Sequence, residues 1–318
     1  MSGAREHRAL HSRVFAARPE TLYQLVERVE NWPVVFEPTI HVHLLERGSG
    51  SERFRIWATV NGEVADWTSR RRLDPRTGVI TFQQEHSRPP LTSMRGEWRF
   101  VPLPGGRTEV SLVHVFSADG DEAVEWINRA LDGNSERELD ALARIAELPH
   151  SLDDLVLSFE DTARIAGDPR AAYRFVERAD AWPDLLPHVG RVALVEPKPG
   201  VQDLEMDTVT RDGDIHTTRS IRLCLGEQEI VYKQTRPPRL VFGHGGAWGF
   251  GAGGLITARH TVAINPDAVS QVLGPEAGVH DARSYLREAL GANSRVTLSH
   301  AVAAAEGQEL TGTDRGPT

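Results

Sequence analysis

The chain has 318 residues, a formal net charge of −9 and a hydrophobic fraction of 40%, values that suit two soluble globular domains. The negative charge argues against non-specific nucleic-acid binding, which needs a basic surface. No apolar run approaches the roughly 18 residues of a membrane span. The single cysteine, Cys224, excludes an internal disulfide and a cysteine-rich metal site. Because the N-terminus also lacks the apolar stretch of a signal peptide, we expect a cytoplasmic protein that binds neither membrane nor nucleic acid.

The sequence repeats itself after about 150 residues. Residues 27–33, Glu-Arg-Val-Glu-Asn-Trp-Pro, return as residues 177–183, Glu-Arg-Ala-Asp-Ala-Trp-Pro. Three further segments return in the same order, namely 88–90 as 236–238, 96–100 as 246–250 and 130–135 as 289–294. A period this long indicates two copies of a whole domain and not a solenoid. We expect domains at 8–148 and 153–306, followed by a disordered polar tail at 307–318.

The first half begins with a strand-like run at residues 11–17. Pro19 then stands where a helix begins, and leucine and valine recur at helical spacing over residues 21–30. Pro33 ends that helix, because the residue before a proline is pushed out of the helical region. Strand-like runs follow at residues 39–47, 51–60, 63–73, 79–87, 93–102 and 108–116. A long amphipathic helix at residues 121–147 closes the half.

The second half repeats this order, with a strand at 155–165, a helix from Pro169 to about residue 180 and a final helix at 279–305. Its intervening strand-like runs lie at residues 189–196, 203–210, 214–225, 228–236, 240–250 and 255–265. The pattern predicts an α+β fold in which a curved antiparallel sheet wraps around one long C-terminal helix. Such a sheet cannot close on the helix everywhere, so we expect an internal ligand pocket in each half.

This element order resembles the helix-grip fold of the Bet v 1 and START-related superfamily. Residues 67–71 read Trp-Thr-Ser-Arg-Arg and carry a Trp-x-Ser-x-Arg pattern, with Trp32 upstream and Trp98 downstream. In a duplicated frame this pattern is similar to the di-domain aromatase/cyclases of bacterial type II polyketide synthases. The resemblance covers the chain from about residue 10 to residue 305.

The resemblance implies an enzyme of antibiotic biosynthesis. Such enzymes take a poly-β-ketone from an acyl carrier protein, direct the aldol closure of its first ring and dehydrate that ring to an aromatic. Di-domain members usually act on chains reduced at C9 and close C7–C12. The resemblance implies neither a metal nor an organic cofactor. The acyl carrier protein is the implied partner, with the ketosynthase and ketoreductase of the same pathway as further candidates.

Arg71 is the first candidate catalytic residue. Alternation along its strand places Trp67, Ser69 and Arg71 on one face. Aldol closure builds negative charge on oxygen, and one fixed donor at that oxygen is worth about 3–4 kcal/mol. Arginine suits the role because it stays protonated and presents several donors. The alternative is a structural salt bridge, with Glu85 or Glu97 as the partner.

His114 is the second candidate. Alternation places it with Val110, Leu112 and Phe116 on an apolar, inward face. Dehydration needs a proton delivered to the leaving hydroxyl and another removed from carbon, and histidine titrates in the useful range. The resemblance also implies an arginine and a histidine on these two strands. The alternative is a histidine that is buried and hydrogen-bonded in the core.

The second copy departs from the first in this reading. Its apolar face is predicted to hold Thr217 and Arg219 among isoleucines and leucines, so that Arg219 supplies the inward cation. His260 corresponds to His114, and we predict Arg219 and His260 as catalytic. The hypothesis is that both pockets are competent, one for cyclisation and one for aromatising dehydration, in an order that stays open.

The predicted substrate-binding residues are those that would line the two pockets. They are Trp32, Trp67, Ser69, Trp98, Asn134, Trp182, Thr217, Trp248 and Asn293. Aromatic walls suit a flat, unsaturated chain. The alternatives are tryptophans that fill the core and asparagines that begin the last helices. His41-x-His43 lacks a convincing third ligand, so we expect no metal.

Two other functions compete with the enzyme. One is a non-catalytic tandem helix-grip carrier of hydrophobic ligands, which would have little need for repeated inward arginines and histidines. The other is a structural partner that only chaperones the synthase, for which point substitutions in the pockets would have no effect.

Overall fold

A computed structural model describes residues 5–209, 213, 215–251 and 253–308. The chain divides into two compact units between Leu152 and Asp153. The predicted tail lies outside the described residues from residue 309 onward, as do residues 210 and 214 at the ends of two predicted strands. Among the described helices, none has the length and apolar character needed to cross a membrane.

The N-terminal domain is an antiparallel sheet with one long helix. Its strands are β1 (His7–Phe15), β2 (Thr39–Gly48), β3 (Ser51–Val60), β4 (Glu63–Asp74), β5 (Val79–Gln84), β6 (Leu91–Leu103) and β7 (Arg107–Ala118). Its helices are α1 (Pro19–Glu27), α2 (Trp32–Val35) and α3 (Asp121–Ala146). The strand order is β1-β7-β6-β5-β4-β3-β2, so the first strand pairs with the last.

The C-terminal domain repeats this arrangement. Its strands are β8 (Val156–Arg164), β9 (Val189–Lys198), β10 (Val201–Val209), β11 (Ile215–Leu225), β12 (Glu229–Arg236), β13 (Val241–Gly251) and β14 (Leu255–Ile264). Its helices are α4 (Leu152–Leu155), α5 (Pro169–Glu177), α6 (Trp182–Leu185), α7 (Pro266–Leu273) and α8 (Val279–Ala305). The strand order is β8-β14-β13-β12-β11-β10-β9. Both domains have the predicted helix-grip fold, and α7 is a helix that the sequence reading missed.

The long helices pack on their sheets through apolar stripes and ion pairs. In α3, Leu139 and Leu142 are fully buried, at the spacing of one helical face. Arg13 of β1 pairs with Glu136 and Asp140 of α3 at 2.9 and 2.5 Å. The contact between helix and sheet is therefore apolar at its centre and ionic at one edge.

The repeated Trp-Pro begins the short helices α2 and α6. The prediction that Pro33 ends the first helix was wrong, because α1 already ends at Glu27 and Trp32 has helical backbone angles. The Trp32 indole Nε1–H donates to the carbonyl of Val26 at 3.1 Å, and that of Trp182 donates to the carbonyl of Phe175 at 3.1 Å. These carbonyls lie in the last turns of α1 and α5, where helix geometry leaves them without partners. The repeat thus preserves a way of ending a helix.

The repeated Gly-x-Trp-x-Phe strand has a steric cause. A Cβ on Gly96 would lie 2.4 Å from Cζ of Phe82, and a Cβ on Gly246 would lie 2.5 Å from the hydroxyl of Tyr232. In both domains an aromatic side chain from the neighbouring strand crosses over the glycine. Glycine is retained because any other residue would occupy the space of that ring.

Candidate functional site

Arg71 projects from β4 into the N-terminal domain, where it is 3% exposed. Its Nε donates to Glu52 at 2.7 Å, and its Nη2 donates to the same carboxylate oxygen. Nη1 donates to the carbonyl of Val26 at 2.7 Å, and Nη2 also reaches the carbonyl of Glu27. Within the described residues, protein oxygens thus accept from four of the five N–H groups. Arg71 thus ties the sheet to the end of α1.

Arg222, and not Arg219, is the counterpart of Arg71 in the C-terminal domain. Its Nη1 donates to Gln202 at 2.8 Å, and its Nη2 donates to the carbonyl of Val176 at the end of α5. Burial lowers the pKa of Arg222 to about 10, which still leaves it cationic near neutral pH. The same arginine device therefore joins sheet to helix in both domains.

The predicted positions of Arg219 and Thr217 were wrong, because both lie on the outer face of β11. The side chain of Arg219 is 55% exposed and its Nε donates to Asp203 at 2.9 Å. Thr217 donates to Asp207 at 2.7 Å. Isoleucines on this face suggested an interior, yet Ile215 is 66% exposed. Neither Arg219 nor Thr217 borders the interior of the domain.

The inward face of β11 carries Thr218, Ser220 and Arg222, all buried. The Trp-x-Ser-x-Arg pattern of β4 therefore persists as Thr-x-Ser-x-Arg, with only the tryptophan replaced. A one-residue error in register moves every side chain to the other face of a strand. That error produced the wrong prediction that Arg219 supplies the inward cation of this strand.

Trp32 and Trp67 form the aromatic wall beside Arg71. Both are half-buried and pack on a cluster containing Phe54 and Ile56. The Trp32 ring lies 5.5 Å from the guanidinium carbon of Arg71. This wall was predicted, and its partial exposure leaves aromatic surface available to a ligand.

His114 lies on the inner face of β7, opposite Gly96 and Ala9. Its Nδ1 is buried and has no hydrogen-bond partner among the described residues. Its ring meets Phe82 edge-on with centroids 5.4 Å apart. Burial, assisted by His11, lowers the pKa of His114 to about 4. The imidazole is therefore neutral near pH 7 and can accept a proton or a hydrogen bond.

Glu138 of α3 is a site residue that the sequence reading missed. It follows Ser135 by three residues and precedes Leu142 by four, and these neighbours are 1% and 0% exposed. Glu138 itself is half-buried. Burial raises its pKa to about 7, against the opposing effect of Arg137. A charged residue inside the apolar stripe of a helix was the available signal.

The C-terminal domain brings three polar side chains, Tyr232, His244 and Ser294, together around His260. The hydroxyl of Tyr232 lies 2.8 Å from His260 Nδ1 and 3.4 Å from His244 Nε2. His260 Nε2 is hydrogen-bonded to Ser294 Oγ. Burial lowers the pKa of both histidines, and with Arg287 it brings that of His260 to about 4. The predicted inward position of His260 is thus occupied by a connected polar network.

The two domains differ at the positions around the shared histidine. Tyr232 pairs with Gly246 as Phe82 pairs with Gly96, and His244 stands where the first domain has Met94. On the long helices, Ser294 and Thr297 stand where the first domain has Ser135 and Glu138. The absence of a hydroxyl on Phe82 explains why His114 Nδ1 has no partner.

The other predicted pocket residues serve mainly the scaffold. Trp98 and Trp248 are 5% and 8% exposed, and Trp182 lies in the core of its domain with Trp248. Ser69 is buried and donates to the carbonyl of Gln83 at 3.2 Å.

The two predicted asparagines lie in the middle of helices. Asn134 and Asn293 fall well inside α3 and α8, so neither begins its helix. Asn134 Nδ2 donates to the carbonyl of Thr59 at 3.1 Å and ties α3 to β3. Asn293 is half-buried.

A groove of about 790 Å³ crosses the outer face of the N-terminal sheet. Its outward-facing lining includes Arg53 and Arg70, which pair with Glu85. Glu85 was one suggested partner of Arg71 and instead lies with these surface arginines. Such surface ion pairs contribute little to the free energy of folding. The groove is lined neither by the inward His114 nor by Glu138. The candidate site is therefore the inner face of the sheet with the facing side of α3, which carry Arg71, His114 and Glu138.

The fold and the site together define a class of protein. It is that of tandem helix-grip proteins in which titratable groups face the interior of each domain. The sequence profile described as "Polyketide cyclase / dehydrase and lipid transport" matches residues 15–137. The chain belongs to the di-domain aromatase/cyclase family of bacterial type II polyketide synthases, as the resemblance predicted.

Three relatives support this membership. The granaticin polyketide synthase bifunctional cyclase/dehydratase of Streptomyces violaceoruber is 54% identical over 306 residues, covering 94% of each chain. The actinorhodin polyketide synthase bifunctional cyclase/dehydratase of Streptomyces coelicolor is 54% identical over 316 residues, covering 96% of this chain and 99% of the relative. The crystal structure of the di-domain aromatase/cyclase BexL, from the BE-7585A biosynthetic pathway, has a TM-score of 0.80. It is 44% identical and covers 95% of this chain and 100% of BexL.

Proposed function

We propose that this chain closes and dehydrates the first ring of a poly-β-ketone carried by an acyl carrier protein. The chain substrate is reduced at C9, and the bond formed joins C7 and C12. The protein acts in the cytoplasm beside the ketosynthase and ketoreductase of its pathway. The names of the relatives support both reactions, and the family resemblance supports the regiochemistry.

The N-terminal domain is the site of ring closure in this proposal. An aldol closure removes a proton from a methylene flanked by carbonyls and delivers one to the new alkoxide. His114 is neutral, and its buried Nδ1 has no hydrogen-bond partner among the described residues. Glu138 on α3 is half-buried. Because the pKa of Glu138 is near 7, both its acid and its base form are present near neutral pH. The occurrence of these two titratable groups within one domain is the observation that carries the proposal.

Arg71 and the aromatic wall hold the substrate in this scheme. In this proposal the remaining Nη1 N–H of Arg71 donates to an enolate or alkoxide oxygen, while Trp32 and Trp67 support the flat chain. Holding two reacting carbons of one molecule together supplies much of the barrier reduction. Arg71 thus combines one substrate contact with its structural bonds to Glu52 and α1.

The non-catalytic carrier is disfavoured by these groups. A carrier of hydrophobic ligands gains nothing from a buried carboxyl and imidazole, because burial of such groups costs free energy unless they are paired. Here Glu138 and His114 both have pKa values displaced by burial, as in catalytic sites.

Reconstitution tests the proposed function. A minimal synthase and ketoreductase are run with and without the full chain, and the position and aromaticity of the first ring are read by mass spectrometry and NMR. We expect the C7–C12 aromatic product only with the chain. Arg219→Ala is the control, because Arg219 lies on the outer face, and should leave the product unchanged. The same product mixture with and without the chain would refute the proposal.

A further inference from the structure

The hydrogen bonds around His260 have a definite direction. Ser294 Oγ donates to the carbonyl of Leu290 at 2.9 Å, and a hydroxyl has only one proton to give. Ser294 therefore accepts from His260, which places the His260 proton on Nε2. Nδ1 of His260 is then an acceptor, and Tyr232, 2.8 Å away, donates to it.

His244 lies beside the bond between Tyr232 and His260. Its Nε2 is 3.1 Å from His260 Nδ1 and 3.4 Å from the phenol oxygen. Tyr232 is the nearer donor to Nδ1, at 2.8 Å. The hydrogen bonds therefore run from Tyr232 through His260 and Ser294 to the helix backbone, and a proton can pass between Tyr232 and His260.

Tyr232 is the least buried member of this group. His244, His260 and Ser294 are 4%, 6% and 3% exposed, whereas Tyr232 is half-buried. Gly246 leaves room for its hydroxyl, since a Cβ there would lie 2.5 Å away. The phenol is thus the group that a ligand between sheet and α8 can reach.

The ring of His260 is held in place from its other side. Phe159 stacks on it with centroids 5.1 Å apart, and Arg287 lies 4.4 Å from the centroid of Phe159. Arg287 pairs with Asp161 at 2.8 Å. Because these contacts hold the imidazole, Nδ1 stays directed at Tyr232.

We propose that the C-terminal domain is the dehydration site and that Tyr232 is its catalytic residue, with His260 as the positioning residue behind it. This inference rests on the proposed function and adds the group that performs the second step. The substrate class is a ring-closed β-hydroxy ketone bearing a hydrogen beside its carbonyl.

Tyr232 and His260 together take up one proton from the substrate and return one proton to it. The carbon–hydrogen bond beside the carbonyl breaks, its proton passes to the Tyr232 oxygen, and the Tyr232 proton passes to His260 Nδ1. The electron pair forms an enolate, which then expels the hydroxyl and forms the carbon–carbon double bond. The proton returns from His260 through Tyr232 to the leaving oxygen, so water departs and the enzyme is restored.

The first domain cannot run this step in the same way. Phe82 stands in place of Tyr232 and Met94 in place of His244, so no hydroxyl joins His114 to a substrate. The two domains therefore keep one histidine for two different proton-transfer arrangements.

Tyr232→Phe tests the assignment in the full chain, because it removes only the hydroxyl and recreates the residue of the first domain. Tyr173→Phe is the matched control, since Tyr173 is a buried core tyrosine that donates to Glu177 at 3.1 Å. The readout in the reconstituted system is the ratio of the ring-closed product that retains its hydroxyl to the dehydrated product. Thermal unfolding of each variant reports on the fold.

We expect Tyr232→Phe to slow dehydration by about 100-fold or more, the scale of general acid–base catalysis, while ring closure continues and the hydroxylated product accumulates. The control should behave as wild type. Unchanged dehydration, or equal loss of closure and dehydration in a folded variant, would overturn the assignment. His260→Gln should shift the same product ratio without loss of closure. If wild type itself forms no ring, the proposed function fails, which the variant ratio distinguishes from failure of Tyr232.

Discussion

At the scale of single residues, the repeat preserves an arginine that binds the end of a helix. Arg71 and Arg222 each reach carbonyls of the last turn of the preceding helix. Their strand partners differ, since Arg71 faces Glu52 and Arg222 faces Gln202. In the second domain a neutral partner is therefore sufficient to hold the arginine against the end of the helix.

This difference predicts unequal effects on stability. Arg71→Ala breaks a buried ion pair and leaves the Glu52 carboxylate with Arg47 alone, at 2.6 Å, so it should cost about 3 kcal/mol of the free energy of unfolding. Glu52→Gln should cost less, because it reproduces the pair of the second domain. Arg219→Ala, which removes an exposed pair, should change stability by no more than about 1 kcal/mol. Urea unfolding of the three variants measures the order, and an equal loss for Arg71→Ala and Arg219→Ala would contradict it.

Glu138 predicts a pH dependence. Its folded pKa is about 7, raised from 4.5 by burial, so the fold favours the protonated carboxyl. The stabilisation is present below the unfolded pKa and is lost as pH rises through about 7. Glu138→Gln should therefore match wild type in Tm near about pH 4 and exceed it near about pH 8.

The same variant should slow ring closure, because glutamine cannot exchange a proton. Product formation in the reconstituted system measures this effect. Activity equal to wild type, or a Tm difference that does not grow with pH, would remove Glu138 from the site.

Sequence reasoning located the inward face of β4 and both histidines, because strand alternation is regular there. It failed on β11, where isoleucines lie on the outer face and arginine and serine on the inner one. It also missed Tyr232 and His244, because the role of each depends on His260. That histidine lies two strands away from Tyr232 and on the strand adjacent to His244. Pairing between strands is needed to join such residues.

At the scale of elements, each sheet depends on a glycine that an aromatic ring crosses. A Cβ on Gly96 would lie 2.1 Å from the carbonyl oxygen of Val113, so the strand itself would have to move. Gly133, inside α3, is different, because a Cβ there would meet only the tip of Arg137 at 3.7 Å.

These glycines predict opposite results for one substitution. Gly96→Ala should destabilise the protein, because the new methyl overlaps backbone and Phe82. Gly133→Ala should stabilise it by up to about 1 kcal/mol, the helix preference of alanine over glycine. Differential scanning calorimetry compares the Tm values of the two variants. A Gly96→Ala variant as stable as wild type would contradict the prediction and show that the sheet accommodates the methyl group.

Most elements were predictable because turns and periodicity mark their ends. The strands and long helices fall within a few residues of the predicted ranges. α7 was missed because it is a short helix between β14 and α8 with no equivalent in the first half. Its signal is Pro266 in the first turn, within the stretch between residues 265 and 279 to which no element was assigned.

At the scale of the whole molecule, one scaffold presents two different linings. The first domain combines a free histidine with a helix carboxyl, and the second connects its histidine to tyrosine and serine. Conservation of the scaffold could be read from the repeat. The division of labour could not, because it depends on which side chains meet across strands.

Two defective chains should complement each other. A chain with His114→Gln keeps the second domain, and a chain with Tyr232→Phe keeps the first. If the carrier protein passes the ring-closed intermediate between molecules, the mixture should form more aromatic product than the sum of the two alone. Product yield of the mixture measures this, and a yield no greater than the sum would contradict the transfer.

The pairing of first strand with last in each domain also governs the order of folding. β1 cannot find its partner until β7, about a hundred residues later, has left the ribosome, so the sheet forms through distant contacts and forms slowly. Domains generally fold as units, N-terminal first, during synthesis. The first domain can therefore enclose its own strands before β14 is made, which limits pairing between the two similar sets of strands.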